Sequence, residues 1–134
     1  MRSTIIVAGF TVALSLVAGN QIEAAEADHG REMYLQYCSS CHGKDGSGNG
    51  AVSPYLKVKI PDLTLLKKNN RGIYPLEKVM SAIDGSRPVR GHGDREMPVW
   101  GEIFRKETEG KKYSELTSLL KGKVIAEYVA TLQK

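Results

Sequence analysis

Apolar positions recur at helical spacing in three parts of the chain. Between Asp28 and Cys38, the residues Met33, Tyr34, Leu35, Tyr37 and Cys38 put apolar side chains on adjoining faces, and Asp28 can cap the run. A helix over 28–38 is expected. Leu76, Val79, Met80 and Ile83 fall at i, i+3, i+4 and i+7, one stripe of a second helix over 75–84. Pro75 suits its first turn and Gly85 its end. Leu116, Leu119, Leu120, Val124, Ile125, Tyr128, Val129 and Leu132 repeat along a last helix from about 114 to 132, with Gly122 as a point of bending. A short helix over 102–106 is also expected.

The rest of the chain is polar or rich in Gly and Asn. Lys57 to Ile60 alternates over only four residues, too few to establish a strand, and reads as extended loop. Leu63, Leu65 and Leu66 are expected to cover the core, and 67–72 to form a polar turn. No internal repeat or low-complexity tract interrupts the pattern. The class expected is all-α.

Apolar residues 5–18 follow Arg2 and precede the small-residue sites Glu23-Ala24-Ala25 and Ala25-Glu26-Ala27. That order reads as an export signal, residues 1–27, cleaved near 24–27. The alternative is an uncleaved N-terminal anchor. The domain would then be residues 28–134, about 107 of the 134 residues. A domain of that size buries little core unaided.

Cys38-Ser39-Ser40-Cys41-His42 changes the picture most. The Cys-x-x-Cys-His spacing is the attachment signature of a c-type haem. On a helical turn, Cys38, Cys41 and His42 converge on one side. Two thiols can form thioethers with the porphyrin vinyl groups, and His42 is placed to be the proximal iron ligand. Three other readings compete. A zinc site needs a fourth ligand, and His29 and His92 lack motif spacing. A redox dithiol wants a preceding strand, and none is readable. A structural disulfide suits an exported chain.

The loop from Lys44 to Gly50 reads as backbone wrapping the ring edge. Pro54, twelve residues after His42, offers a carbonyl that can accept the His42 Nδ1–H and fix its tautomer. For the sixth ligand, Met97 is favoured: it lies in a loop, and Pro98 stiffens the chain beside it. His92 between two glycines is the rival, and an open site the third possibility. Met80 reads as core filling and Met33 as too near the motif. A thioether opposite an imidazole stabilises reduced iron and leaves only electrons to enter or leave. Trp100, the only tryptophan, suits core packing, a contact at the haem edge, or both. Arg71, Arg87, Arg90 and Arg95 read as solvated surface before propionate partners.

The charge is +4, and without Arg2, Glu23 and Glu26 it becomes +5, from 18 basic and 13 acidic residues. That excess favours redox proteins with acidic docking surfaces. It is too small and dispersed for nucleic acid. Lys67-Lys68 and Lys111-Lys112 read as solvated surface. No stable membrane insertion is expected once the signal is cleaved.

With these motifs in place, the chain resembles the class I c-type cytochromes, small monohaem electron carriers. Cys38, Cys41 and His42 fit the attachment motif, Pro54 and Leu56 fit its following Pro-x-Leu, and Met97-Pro98 fits its distal ligand loop. Gly30 and Tyr34 resemble the family's Gly and aromatic pair, with Ile125 and Tyr128 as partners on the last helix. The spacing from His42 to Met97 is similar to that of compact bacterial members.

The resemblance implies a cytochrome c fold of three to five helices around one covalent haem c. It implies terminal helices crossing at Gly30, and a haem pocket that includes Pro54, Leu56 and Trp100. The function implied is a periplasmic one-electron carrier between a donor dehydrogenase or respiratory complex and an acceptor, without bond chemistry of its own. The alternatives are the haem subunit of a multisubunit oxidoreductase, or a haem peroxidase or gas sensor with a labile Met97.

Overall fold

A computed structural model of the protein describes residues 28–86 and 98–134. The expectations for residues 1–27, Arg87, Arg90, His92, Arg95 and Met97 lie outside the described residues. Six helical segments appear in order: α1 (28–37), α2 (Ser39–His42), α3 (Leu66–Asn69), α4 (Leu76–Asp84), α5 (Trp100–Glu107) and α6 (Ser114–Thr131). Two 3-10 turns, Ser53–Tyr55 and Leu63–Leu65, lie between α2 and α3. Among the described residues there is no strand, so the all-α class stands.

The core is built where α1 meets α6. Met33, Tyr34, Ile125, Ala126 and Val129 are buried there, with Phe104 and Ile83 supplied by α5 and α4. Gly30 allows the approach. A Cβ on Gly30 would lie 2.6 Å from the Val124 carbonyl oxygen and 3.1 Å from the Tyr128 Cβ. The helices therefore approach backbone to backbone at that point, and the propensity cost of a helical glycine is offset by the contact. One residue-turn further, the Tyr34 and Tyr128 rings lie 5.2 Å apart between centroids.

α4 begins one residue later than its pattern suggests. Pro75 is the flanking residue, with ψ 65°, and Gly85 closes the helix in the left-handed region at φ 77°. α5 is longer than expected because its first turn is assembled on Val99, whose carbonyl accepts the amides of Glu102 and Ile103. The polar turn expected over 67–72 instead starts with a helical turn, α3. Asp62 explains it: its Oδ1 accepts the Thr64 amide at 2.9 Å and the Thr64 hydroxyl at 2.6 Å, starting the preceding 3-10 turn.

The largest departure is in α6. Its first half turns Ser118 and Gly122 inward and leaves Leu116, Leu119 and Leu120 51 %, 51 % and 49 % exposed. The reason is the seam between α4, α5 and α6. A Cβ on Gly101 would sit 2.8 Å from the Asp84 carbonyl oxygen, so α4 and α5 nearly touch. Ser118 reaches across to donate to the Gly101 carbonyl at 3.1 Å. Ser118 and Gly122 face this seam and line a cavity there with Met80 and Phe104; Leu116 and Leu120 take the opposite face, and Leu119 lines the cavity from the flank. Gly122 does not interrupt α6, which runs through it as one element.

Candidate haem-attachment site

α1 carries the chain straight into the Cys-x-x-Cys-His string. Cys38 donates its amide to the Tyr34 carbonyl at 2.9 Å, as the next residue of the α1 ladder. Its ψ of −32° at φ −116° then lets α2 begin at Ser39. The His42 and Cys41 amides both return to the Cys38 carbonyl, at 2.9 and 3.3 Å. The three chemical residues thus share one helical turn, as their spacing predicts. Cys38 and His42 are buried, and Cys41 is half-buried.

The segment after the motif folds back and binds its carbonyls. Gly48 N–H donates to His42 at 2.8 Å, Gly50 N–H to Cys41 at 3.1 Å, and Val52 N–H to Ser40 at 2.9 Å. These are the carbonyls that a helix end leaves without intrahelical donors. The glycines are needed for this closure. A Cβ on Gly50 would fall 2.2 Å from the Ser40 carbonyl oxygen, and one on Gly48 would fall 2.7 Å from that of Ile60. At Gly48 and Gly50 the close approaches are to the protein's own backbone. Tyr34, fully buried, donates its hydroxyl to the Gly43 carbonyl at 2.7 Å and fixes the turn from the α1 side.

Burial, and secondarily the nearby Cys41, push the Cys38 thiol up to about 12. At neutral pH it stays protonated. A redox dithiol needs the opposite shift, toward thiolate, so that reading loses its chemical basis. The two sulfurs are not bonded to each other. Among the described residues no three His, Cys, Asp or Glu side chains converge as a metal cluster, the arrangement zinc requires. Two unbonded thiols and a buried imidazole on one clamped turn fit a covalently attached haem.

The remaining expected residues are distributed around this turn. Pro54 is exposed on the 3-10 turn Ser53–Tyr55, which packs beside α2, and Leu56 follows it half-buried. Trp100 opens α5. Its ring meets Tyr37 edge-on at 5.3 Å and stacks on Phe104 at 6.0 Å, which is the packing role expected of it. Met33 is buried in the core and Met80 half-buried beside it, as expected of both.

Sequence reasoning missed a cluster that joins the attachment turn to α5 and α6. Tyr37, the residue before Cys38, packs edge-on against Phe104 at 5.0 Å. Its hydroxyl lies 3.3 Å from each Glu107 carboxylate oxygen, and Lys121 pairs with the same carboxylate at 2.6 Å. Burial first and the Glu107 charge second raise the Tyr37 phenol above its ordinary value. Tyr37 and Phe104 were visible as apolar positions, but nothing in the sequence pairs Glu107 with residues 70 positions earlier.

The sequence pattern of the family described as cytochrome c oxidase, cbb3-type, subunit III matches residues 25–110. The chain belongs to this family. The match takes in the attachment turn, the closing loop, α3, α4 and α5, and stops before α6. No curated protein and no solved structure matches the chain. The resemblance to class I carriers is therefore supported at a coarser level, as a cytochrome c-type domain related to this oxidase subunit. Its role is redox and electron-carrying. Among the described residues no helix is long and apolar enough to cross a membrane.

Proposed function

We propose that this protein is the electron-carrying haem subunit of a multisubunit oxidoreductase of the cytochrome c oxidase type. The observation behind this reading is the clamped Cys38–His42 turn lying inside the segment that matches the cbb3-type subunit III family. When bound, the haem supplies a one-electron couple. Cys38 and Cys41 would hold it covalently, and His42 would ligate its iron. The Pro54 carbonyl accepts the His42 Nδ1–H and sets its tautomer. Met97 would supply a second iron ligand, and Leu56 and Trp100 would contribute to the pocket.

In this reading residues 1–27 direct export, with cleavage near 24–27, and residues 28–134 form the haem domain in the periplasm. An uncleaved N-terminus would anchor the same domain. The second reading is a freely diffusing carrier, favoured by the modest basic excess, which suits acidic docking surfaces.

Two measurements separate these statements. Co-expression with c-type haem maturation should give a chain that retains haem through a denaturing gel. Cys38→Ser or Cys41→Ser should leave one thioether and a shifted pyridine haemochrome band. A chain that emerges without covalent haem rules out the cofactor assignment. Affinity purification of the tagged chain from gently solubilised cells then tests the assembly. Stoichiometric recovery of an oxidase supports the subunit reading, and recovery of the chain alone supports the carrier.

A further inference from the structure

We infer that the exposed face at the start of α6 docks on an anionic phospholipid surface. The inversion of α6 is what creates this face. With Ser118 and Gly122 turned to the seam with α4 and α5, Leu116 and Leu120 are presented on the opposite side, and Leu119, which also lines the seam cavity, borders them on the flank. Positions 116, 119 and 120 are neighbours on a helix surface. Tyr113, 63 % exposed, stands at the head of the same helix with φ 70°, three residues before Leu116. Isolated exposed leucines are ordinary, but three adjoining ones with an exposed tyrosine form a patch.

The chemistry around the patch selects the occupant. Residues 111–123 contain four lysines and one acid, Glu115. Lys121 and Lys123 are taken by ion pairs with Glu107 and Glu127. Lys111 and Lys112 are exposed and belong to neither pair, and the Lys112 Nζ lies 5.0 Å from the centre of the Tyr113 ring. Arg105 and Lys106, at the exposed end of α5, add to the same side of the charge balance against Glu109.

Leucines with tyrosine and lysine at their margin match the layers of a bilayer interface: acyl boundary, headgroup level and phosphate. Basic side chains are attracted to an anionic leaflet within a Debye length. A surface contact of this kind confines the electron carrier to two dimensions and needs no spanning helix.

The test uses the full exported chain with vesicles of phosphatidylcholine, with and without phosphatidylglycerol. Sedimentation should show binding that requires phosphatidylglycerol and weakens with added salt. L116Q/L120Q should reduce that binding about tenfold or more, as loss of apolar contact implies, while haem content stays at the parent level. Haem absorbance is read on the same samples, so failure of haem attachment is seen separately from failure of lipid binding.

Amide hydrogen exchange locates the contact independently of any N-terminal anchoring. Residues 113–121 should become slower to exchange when anionic vesicles are added. Unchanged exchange there, equal binding to neutral vesicles, or an L116Q/L120Q variant that binds as the parent does would each overturn the inference. Protection of the same residues by a soluble acidic protein but not by vesicles would also overturn it, and would assign the face to a protein.

Discussion

Tyr34 holds the end of the Cys38–His42 turn through a single hydrogen bond, from its buried hydroxyl to the Gly43 carbonyl at 2.7 Å. The tyrosine belongs to α1 and the glycine to the closing loop, so this bond couples the terminal-helix core to the attachment turn. Gly43 sits at φ 80°, and a Cβ there would fall 2.1 Å from Asn49 Oδ1, so its place cannot be taken by another residue without rearrangement. Tyr34→Phe keeps the ring contact with Tyr128 and removes only the donor. It should cost about 1–3 kcal/mol, the range for a buried acceptor left without its donor. Denaturant midpoints of parent and variant measure this. A change near zero would mean that solvent reaches Gly43 and that the bond is not a clamp.

Two helical glycines should respond in opposite directions to the same substitution. Gly30→Ala drives a methyl group toward the Val124 carbonyl oxygen, which is backbone and cannot step aside. The cost expected is about 1–3 kcal/mol, as for overpacking, despite the better helix propensity of alanine. Gly122→Ala meets only Ile83 Cγ2, at 3.7 Å, an ordinary contact. There the propensity gain of up to about 1 kcal/mol should survive, and the variant should melt at or above the parent. Thermal unfolding of the pair checks both signs at once. Equal losses from both changes would show that α6 is not seated as described.

Alkaline pH should weaken the fold through its buried phenols. The Tyr74 hydroxyl donates to the Ala126 carbonyl of α6 at 2.7 Å, and burial raises its pKa above the ordinary value. Tyr34 is raised too, by burial first and then by Cys38, Tyr128 and Asp45. The unfolded chain releases these protons from about pH 10, whereas the folded chain keeps them. The unfolded state then binds fewer protons, so stability falls as pH rises. The contribution is complete below about pH 10 and is lost progressively above it. Tyr74→Phe should flatten that decline. Tyrosinate absorbance followed with circular dichroism measures it, and the buried phenols should ionise only as helical signal is lost.

The sequence disclosed most where a residue's chemistry is local. Cys38, Cys41 and His42 share a turn because their spacing requires it, and the Gly30 crossing followed from a glycine that helix propensity disfavours. Periodicity also placed α4 and α6 in the chain. It could not orient α6, because hydrophobicity alone points Leu116, Leu119 and Leu120 inward. The orientation is legible only in tertiary contacts: Ser118 donates to the Gly101 carbonyl, and Gly122 faces Ile83 of α4. The closing loop was legible in part. Its glycines announce a close approach, but not what is approached, and that proved to be the carbonyls of Ser40, Cys41 and His42. Thr64 was legible in principle, since Asp62 two residues earlier is a capping pattern.

The distal ligand carries the last and most consequential prediction. Met97 precedes Pro98, which leads through Val99 into α5, and α5 is fastened to α1 by the Tyr37–Trp100–Phe104 rings. That fastening fixes the start of α5 beside the attachment turn. In the haem-loaded protein, Met97→Ala should lower the midpoint potential, because a thioether favours reduced iron. It should also admit carbon monoxide, which the parent should exclude, and remove the thioether charge-transfer band of the oxidised form. His92→Ala should leave all three properties as they are. If His92→Ala moves them and Met97→Ala does not, the iron is held by two imidazoles, and the electron-carrying role stands at a lower potential. If the parent itself binds carbon monoxide readily, the sixth position is open and the carrier reading gives way to a gas- or peroxide-binding haem.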